Sequence, residues 1–89
     1  MRAVRMIGVC LRDLDRLDDA ILTFTKAVNL PQASESELSE LFYELGATYE
    51  QLGNPAEAIL YYQLALGSRG SFRDAPARIA HLQDALLTP

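Results

Sequence analysis

No tryptophan occurs in these 89 residues, and cysteine and histidine occur once each. Valine and isoleucine are sparse beside abundant alanine and leucine. Each shortage closes something off. A lone Cys10 leaves no intramolecular disulfide framework, and with His81 it makes no set of soft ligands for zinc. Few β-branched residues lean the chain toward helix, and no apolar–polar alternation runs long enough for a strand. No apolar run approaches the ~18 residues that span a bilayer, so no membrane insertion is expected. The opening MRAVRMIGVCLRDLD sets arginines before an apolar run, as a signal peptide does. Arg12 and Asp13 break that run and no small-residue cleavage site follows. A cytoplasmic protein is the default expectation. A net charge of −4 and a pI of 4.7 oppose a general affinity for nucleic acid or an anionic membrane.

What is present suits one small folded domain over residues 1–89, with 49% hydrophobic and 22% charged residues. A chain this short buries only about 60 to 65% of its unfolded surface, so its core is thin. Apolar residues recur at helical spacing, and the punctuation marks off five helices. The first is expected from about Ala3 to Leu14, with a turn at Asp15 and Arg16. The second, from about Asp18 to Val28, stops at Asn29 and Pro31 because proline cannot continue the hydrogen-bond ladder. Ser34 and Glu37 have the spacing of a capping box and open a third helix, about Glu35 to Leu52, that Gly53 ends. Asn54, Pro55 and Glu57 give the fourth a cap, a first-turn proline and a second box. Gly67 to Gly70 ends that helix, and Ser71 with Asp74 should cap a fifth running to about Leu87.

The chain then repeats itself. Sliding the second half back 38 residues sets Gly46 on Gly8, Leu45 on Ile7, Ala58 on Ala20, Tyr62 on Phe24 and Ala65 on Ala27. Small residues meet small and large meet large at nearly every landmark. Two helical hairpins of one design follow one another.

These landmarks resemble the tetratricopeptide repeat, a helix pair of ~34 residues with bulky, Leu, Gly and Tyr positions on helix A and Ala, aromatic and Ala positions on helix B. The second copy carries Phe42, Leu45, Gly46, Tyr49, Gly53, Ala58, Tyr62 and Ala65; the first carries Val4, Ile7, Gly8, Leu11, Ala20, Phe24 and Ala27, closed by Pro31. The resemblance divides the chain into repeat one at 1–34, repeat two at 39–72 and a C-terminal capping helix at 73–87. It implies an all-α fold, a right-handed α-solenoid of antiparallel helix hairpins with five helices. In style it is similar to repeats of bacterial adaptor or assembly proteins. The four extra residues of the 38-residue offset fall in SESE and should lengthen the loop and the start of the third helix. Leu11 stands where helix A usually has Tyr, Asp15 where the turn usually has Gly, and Gly70 near the closing Pro.

The first helix has Val4 and Ile7 free for contact, and an uncovered apolar end implies modest self-association, a homo-oligomer formed through exposed solenoid ends. Either the array is open there or further repeats precede it. The last helix keeps Ile79 and Ala80 at the Leu-Gly landmarks and sets Ile79, Leu82 and Leu86 on one face, which suits a helix that closes the array.

No nucleophile elbow, phosphate loop or dinucleotide fingerprint is present, so neither an enzyme nor a cofactor is expected. Cys10, between Val9 and Leu11, reads as a small buried filler, and His81 as a solvent-exposed or capping residue. The acidic DLDRLDD lacks the Gly and closing Glu of a calcium loop. What remains is the concave groove, which helix A of each repeat lines in tetratricopeptide arrays. Carried over residue by residue, it would hold Arg5, Val9 and Arg12, then Tyr43, Ala47 and Glu50, then Arg78 and His81. Tyr43 is the aromatic most exposed to a partner on this reading. A dicarboxylate clamp uses Lys and Asn where this chain has Arg5 and Val9, and Val9 cannot donate that hydrogen bond.

From Ser34 to Glu57 every charged residue is acidic, while Arg2, Arg5 and Arg12 stand on the first helix. That sorting reads either as ion pairs between adjacent A helices or as a groove that orients a peptide by charge. The implied function is a non-enzymatic module binding a protein or peptide. The alternatives are a structural or regulatory arm of a larger protein, or a self-assembling unit.

Overall fold

The computed structural model describes residues 2–67 and 70–87. The side chain of Arg2, and Ser68 and Arg69 within the expected break at Gly67 to Gly70, lie outside the described residues. Five helices run in order: α1 (Arg2–Asp13), α2 (Leu17–Val28), α3 (Glu35–Leu52), α4 (Pro55–Leu66) and α5 (Ala75–Leu87). No strand occurs among the described residues.

The helix ends show why the chain turns where it does. The Ser34 hydroxyl accepts from the Glu37 amide at 3.1 Å, and the Glu37 carboxylate accepts from the Ser34 amide at 3.0 Å. This box holds the Glu37 carboxyl below its usual range, chiefly through the Ser34 backbone bond. At the other end Gly53 adopts φ 88°, and the amides of Gly53 and Asn54 bond back to Glu50 and Tyr49. Asn54 then caps α4 by accepting from the Glu57 amide at 3.4 Å. The expected second box stays half made, because the Asn54 amide is spent on the Tyr49 carbonyl. The SESE residues lengthen α3 to 18 residues against 12 for α1.

The start of α5 departs from expectation. Ser71 and Asp74 form no cap box; residues 72–74 make a turn, with the Ala75 amide on the Phe72 carbonyl and Arg73 at φ 52°. The Asp74 carboxylate is occupied elsewhere, on Tyr43 and Arg78.

Each helix packs on its neighbours in sequence, which sets α1, α3 and α5 in one layer and α2 and α4 in the other. The Cα extents of 39 × 31 × 17 Å fit two layers of helices about 8–10 Å apart. Two cores result, with α3 serving both. One joins Ala20, Phe24 and Ala27 of α2 to Leu41 and Leu45 of α3. The other joins Tyr43 of α3, Ala58, Tyr62 and Ala65 of α4, and Ala75 and Leu82 of α5. Glycine permits the closest approach in each hairpin. A Cβ on Gly8 would overlap the Phe24 ring, and one on Gly46 would stand 2.8 Å from Tyr62 Cδ1. Phe24 and Tyr62, both fully buried, have no room to yield.

Candidate functional site

α1, α3 and α5 share one face of the molecule, and charge is concentrated there. Arg5 lies near Glu40 at 3.8 Å and Glu44 at 3.6 Å. Arg12 reaches the Glu44 carboxylate at 2.9 Å and donates to its backbone carbonyl at 3.3 Å. The Glu44 side chain is only 7% exposed, a burial two guanidiniums make tolerable. Between α3 and the start of α5, Arg73 pairs with Glu40 at 3.5 Å, and its guanidinium lies 4.5 Å over the Tyr43 ring. Arg78 bonds both Glu50 and Asp74 at 3.0 Å.

Two tyrosines tie this surface to the core below. Tyr43 donates to Asp74, and burial together with that bond pushes its hydroxyl above the usual tyrosine value. The same bond, with the Arg78 pair, holds the Asp74 carboxyl below its usual range. Tyr62 donates to Glu50 at 2.8 Å, and burial first, then Glu50, raises its pKa well above the ordinary value of 10.0. The acidic α3 thus sits between basic side chains on both sides. Ion pairs engage three of the six acidic residues between Ser34 and Glu57, namely Glu40, Glu44 and Glu50.

An open depression of about 460 Å³ lies on this face, lined by Arg12, Asp13, Ala47, Glu50, Gln51 and Arg78. It brings together four of the expected groove residues: Arg12, Ala47, Glu50 and Arg78. Arg5 stands on the same charged face, outside the depression, in its pairs with α3. Val9 is half-buried and packs on the first core. His81 is exposed and does not line the depression.

Tyr43 differs most from expectation. It is 7% exposed and packed edge-on against Tyr62 and Phe72, so its ring belongs to the core. Its aromatic bulk is needed there because Ala58, Ala65 and Ala75 around it are small. Asp13 and Gln51 were not anticipated as lining residues. Gln51 was findable, since it lies four residues after Ala47 and so on the same side of α3.

Cys10 corrects a second expectation: it is exposed, not buried. It falls two residues after Gly8, which turns it to the side of α1 opposite α2, where no described helix packs. Among the described residues no three His, Cys, Asp or Glu side chains are grouped to hold a metal, and no helix is long and apolar enough to cross a membrane.

Residues 39–66, from Ser39 of α3 through the whole of α4, match the family model of the tetratricopeptide repeat. No curated protein and no solved structure matches the chain. The chain carries a tetratricopeptide repeat within an all-α helical-repeat fold. Such repeats are in general protein–protein interaction modules, typically without catalytic activity, and their partners are proteins.

Proposed function

We propose, from a tetratricopeptide repeat set in a five-helix array, that this chain is a non-enzymatic module of the cytoplasm that holds a peptide segment or partner helix on the face shared by α1, α3 and α5. The observation that carries this reading is the depression lined by Ala47 and by side chains from all three helices. A small residue in its lining leaves room for a partner's side chain. Arg5, Val9, Tyr43 and His81 flank or support that surface; Arg12, Ala47, Glu50 and Arg78 meet the partner.

The charges suggest what kind of peptide fits. Arg12 and Arg78 are already paired with Glu44, Glu50 and Asp74, so a strongly acidic peptide gains little from them. Asp13 and Gln51 are exposed rim groups with hydrogen-bonding capacity facing the opening. A segment offering a basic side chain to Asp13 and backbone groups to Gln51 suits the site. Binding to nucleic acid is not part of this reading, given the net charge of −4.

The test is partner capture by three forms of the chain: the natural sequence, Ala47→Arg, and Leu60→Ser on the outward side of α4. Ala47→Arg fills the depression and should lose the captured proteins, while Leu60→Ser should retain them. Each variant is checked for helicity by circular dichroism. An Ala47→Arg protein that is folded and captures the same set would sink the proposal.

A further inference from the structure

Leu22 of α2 and Leu60 of α4 hold equivalent places in the 38-residue recurrence, and they are 53% and 47% exposed. Each points straight out of its hairpin. The residues two before and two after them (Ala20 and Phe24, Ala58 and Tyr62) are fully buried, and two residues turn a helix by more than half a circle. α2 and α4 lie side by side in one layer of a slab with Cα extents of 39 × 31 × 17 Å. Both leucines therefore stand on its broad side, opposite the charged face.

Four residues either way along each helix the same outward line continues. On α2 it meets Asp18 and Lys26, both exposed. Neither has an ion pair among the described residues, although every arginine side chain described is paired with a carboxylate. On α4 the line meets Ala56 and Leu64, the latter 45% exposed. Glu57 is the one charged residue of α4, so this helix is apolar outward as well as inward. A helix apolar all round is ordinarily covered all round.

These outward lines are complementary to themselves when reversed. Laid antiparallel on its own copy about Leu22, α2 sets Asp18 against Lys26 of the copy and Lys26 against its Asp18. Reversed about Leu60, α4 sets Ala56 against Leu64, small against large, and Glu57 against Gln63, whose amide can donate to it. Because Leu22 and Leu60 are equivalents, one two-fold axis crossing both helices at their level serves both.

We infer that the broad side formed by α2 and α4 is a homodimer interface, on which a second copy of the chain lies antiparallel about a two-fold axis at the level of Leu22 and Leu60. Charge selects this occupant. Two chains of net charge −4 repel over most of their surface, whereas here Lys26 meets Asp18 twice and the α4 half sets its carboxylate against an amide. The face is small. Two helices of 12 residues, each about 18 Å long and about 10 Å across, offer roughly 400 Å² per copy, half of the ~800 Å² per partner of a standard interface. The dimer is therefore weak, forming near about 0.1 mM. It leaves the depression on the other side of the slab open, and neither proposal depends on the other.

A residue on the two-fold axis meets itself, which gives the test its signature. In a Cys10→Ser background at about 0.1 mM, Leu60→Cys should oxidise to a linked dimer at least about tenfold faster than the equally outward Ala56→Cys, which faces Leu64 instead. Sedimentation of the natural chain should show a mass rising from 9.9 kDa toward twice that value as concentration goes from about 10 µM to about 1 mM. Lys26→Asp should raise the dissociation constant about tenfold by setting acid against acid, and adding Asp18→Lys should restore it. Circular dichroism checks that each variant is folded. A natural chain still monomeric at about 1 mM overturns the inference. So does a dimer in which Leu60→Cys and Ala56→Cys oxidise equally fast, or one that the folded double exchange fails to restore.

Discussion

In the second hairpin Tyr62 is wedged between α3 and α5; in the first, Phe24 holds the matching place between α1 and α3. The two hairpins turn by the same bonds. The Gly53 and Asn54 amides return to Glu50 and Tyr49, and 38 residues earlier the Asp15 and Arg16 amides return to Arg12 and Leu11. Both rest their aromatic ring on a helical glycine. Their outer A-helix positions nevertheless have opposite fates. Leu45 is 1% exposed and Ile7, its counterpart, 55%. Residue type does not separate them, since both are large aliphatics. What separates them is that α2 precedes α3, while no described helix precedes α1. Burial here belongs to a position in the stack, and the hairpin alone does not set it.

The sharpest way to break this comparison is to truncate the paired aliphatics. Leu45→Ala should cost about 2–5 kcal/mol by opening the first core, while Ile7→Ala should stay within about 0.5 kcal/mol. Urea denaturation of both variants measures the gap. Equal losses would mean that α1 is covered in solution.

A smaller effect distinguishes the two aromatic rings. Tyr62 carries a hydroxyl where the first hairpin has Phe24, so Tyr62→Phe makes the second hairpin resemble the first at that point. Losing the bond to Glu50 should cost about 1 kcal/mol at neutral pH. The pH dependence follows from the raised pKa. Tyr62 contributes its stability fully below its unfolded value of 10.0, and loses it as pH rises through the higher folded value. The melting temperature of the natural chain should therefore fall more steeply above pH 10.0 than that of Tyr62→Phe. Tyr43 and Tyr49, also raised by burial, keep some of that slope in the variant. Parallel alkaline profiles would remove Tyr62 from the account.

The smallest effect is a gain. Asp15 adopts φ 63° where Gly53 adopts 88°, a left-handed conformation that costs a non-glycine residue free energy. Asp15→Gly should raise stability by about 0.5–1 kcal/mol, read as a higher urea midpoint at unchanged slope. A loss would show that the Asp15 side chain contributes more than its backbone costs.

Much of the fold was legible because its signals are local. The Ser34–Glu37 box, the Gly53 stop and the Asn54–Pro55 start each act within one turn of chain, and α3 begins and ends at the residues those signals give. The start of α5 was less legible. Asp74 looked like half of a cap box, but its carboxylate is claimed by Tyr43, 31 residues away, and by Arg78. The candidate site divides the same way. The tetratricopeptide resemblance, carried over residue by residue, named Arg12, Ala47, Glu50 and Arg78, and these four line one depression. It misjudged Tyr43, because whether an aromatic meets solvent or a neighbour depends on what the next helix brings. Cys10 was misjudged in the other direction, since its apolar neighbours in sequence point elsewhere on the helix.

The sequence by itself determined the five helices, the cap box and glycine stop of α3 and the 38-residue recurrence of small and large side chains, since all of these depend on spacing along one chain. Tertiary structure alone decided which equivalent positions are buried and which acid meets which arginine. It also decided which aromatic supports the core. Those outcomes depend on contacts between residues far apart in sequence, and no spacing along a single helix encodes them.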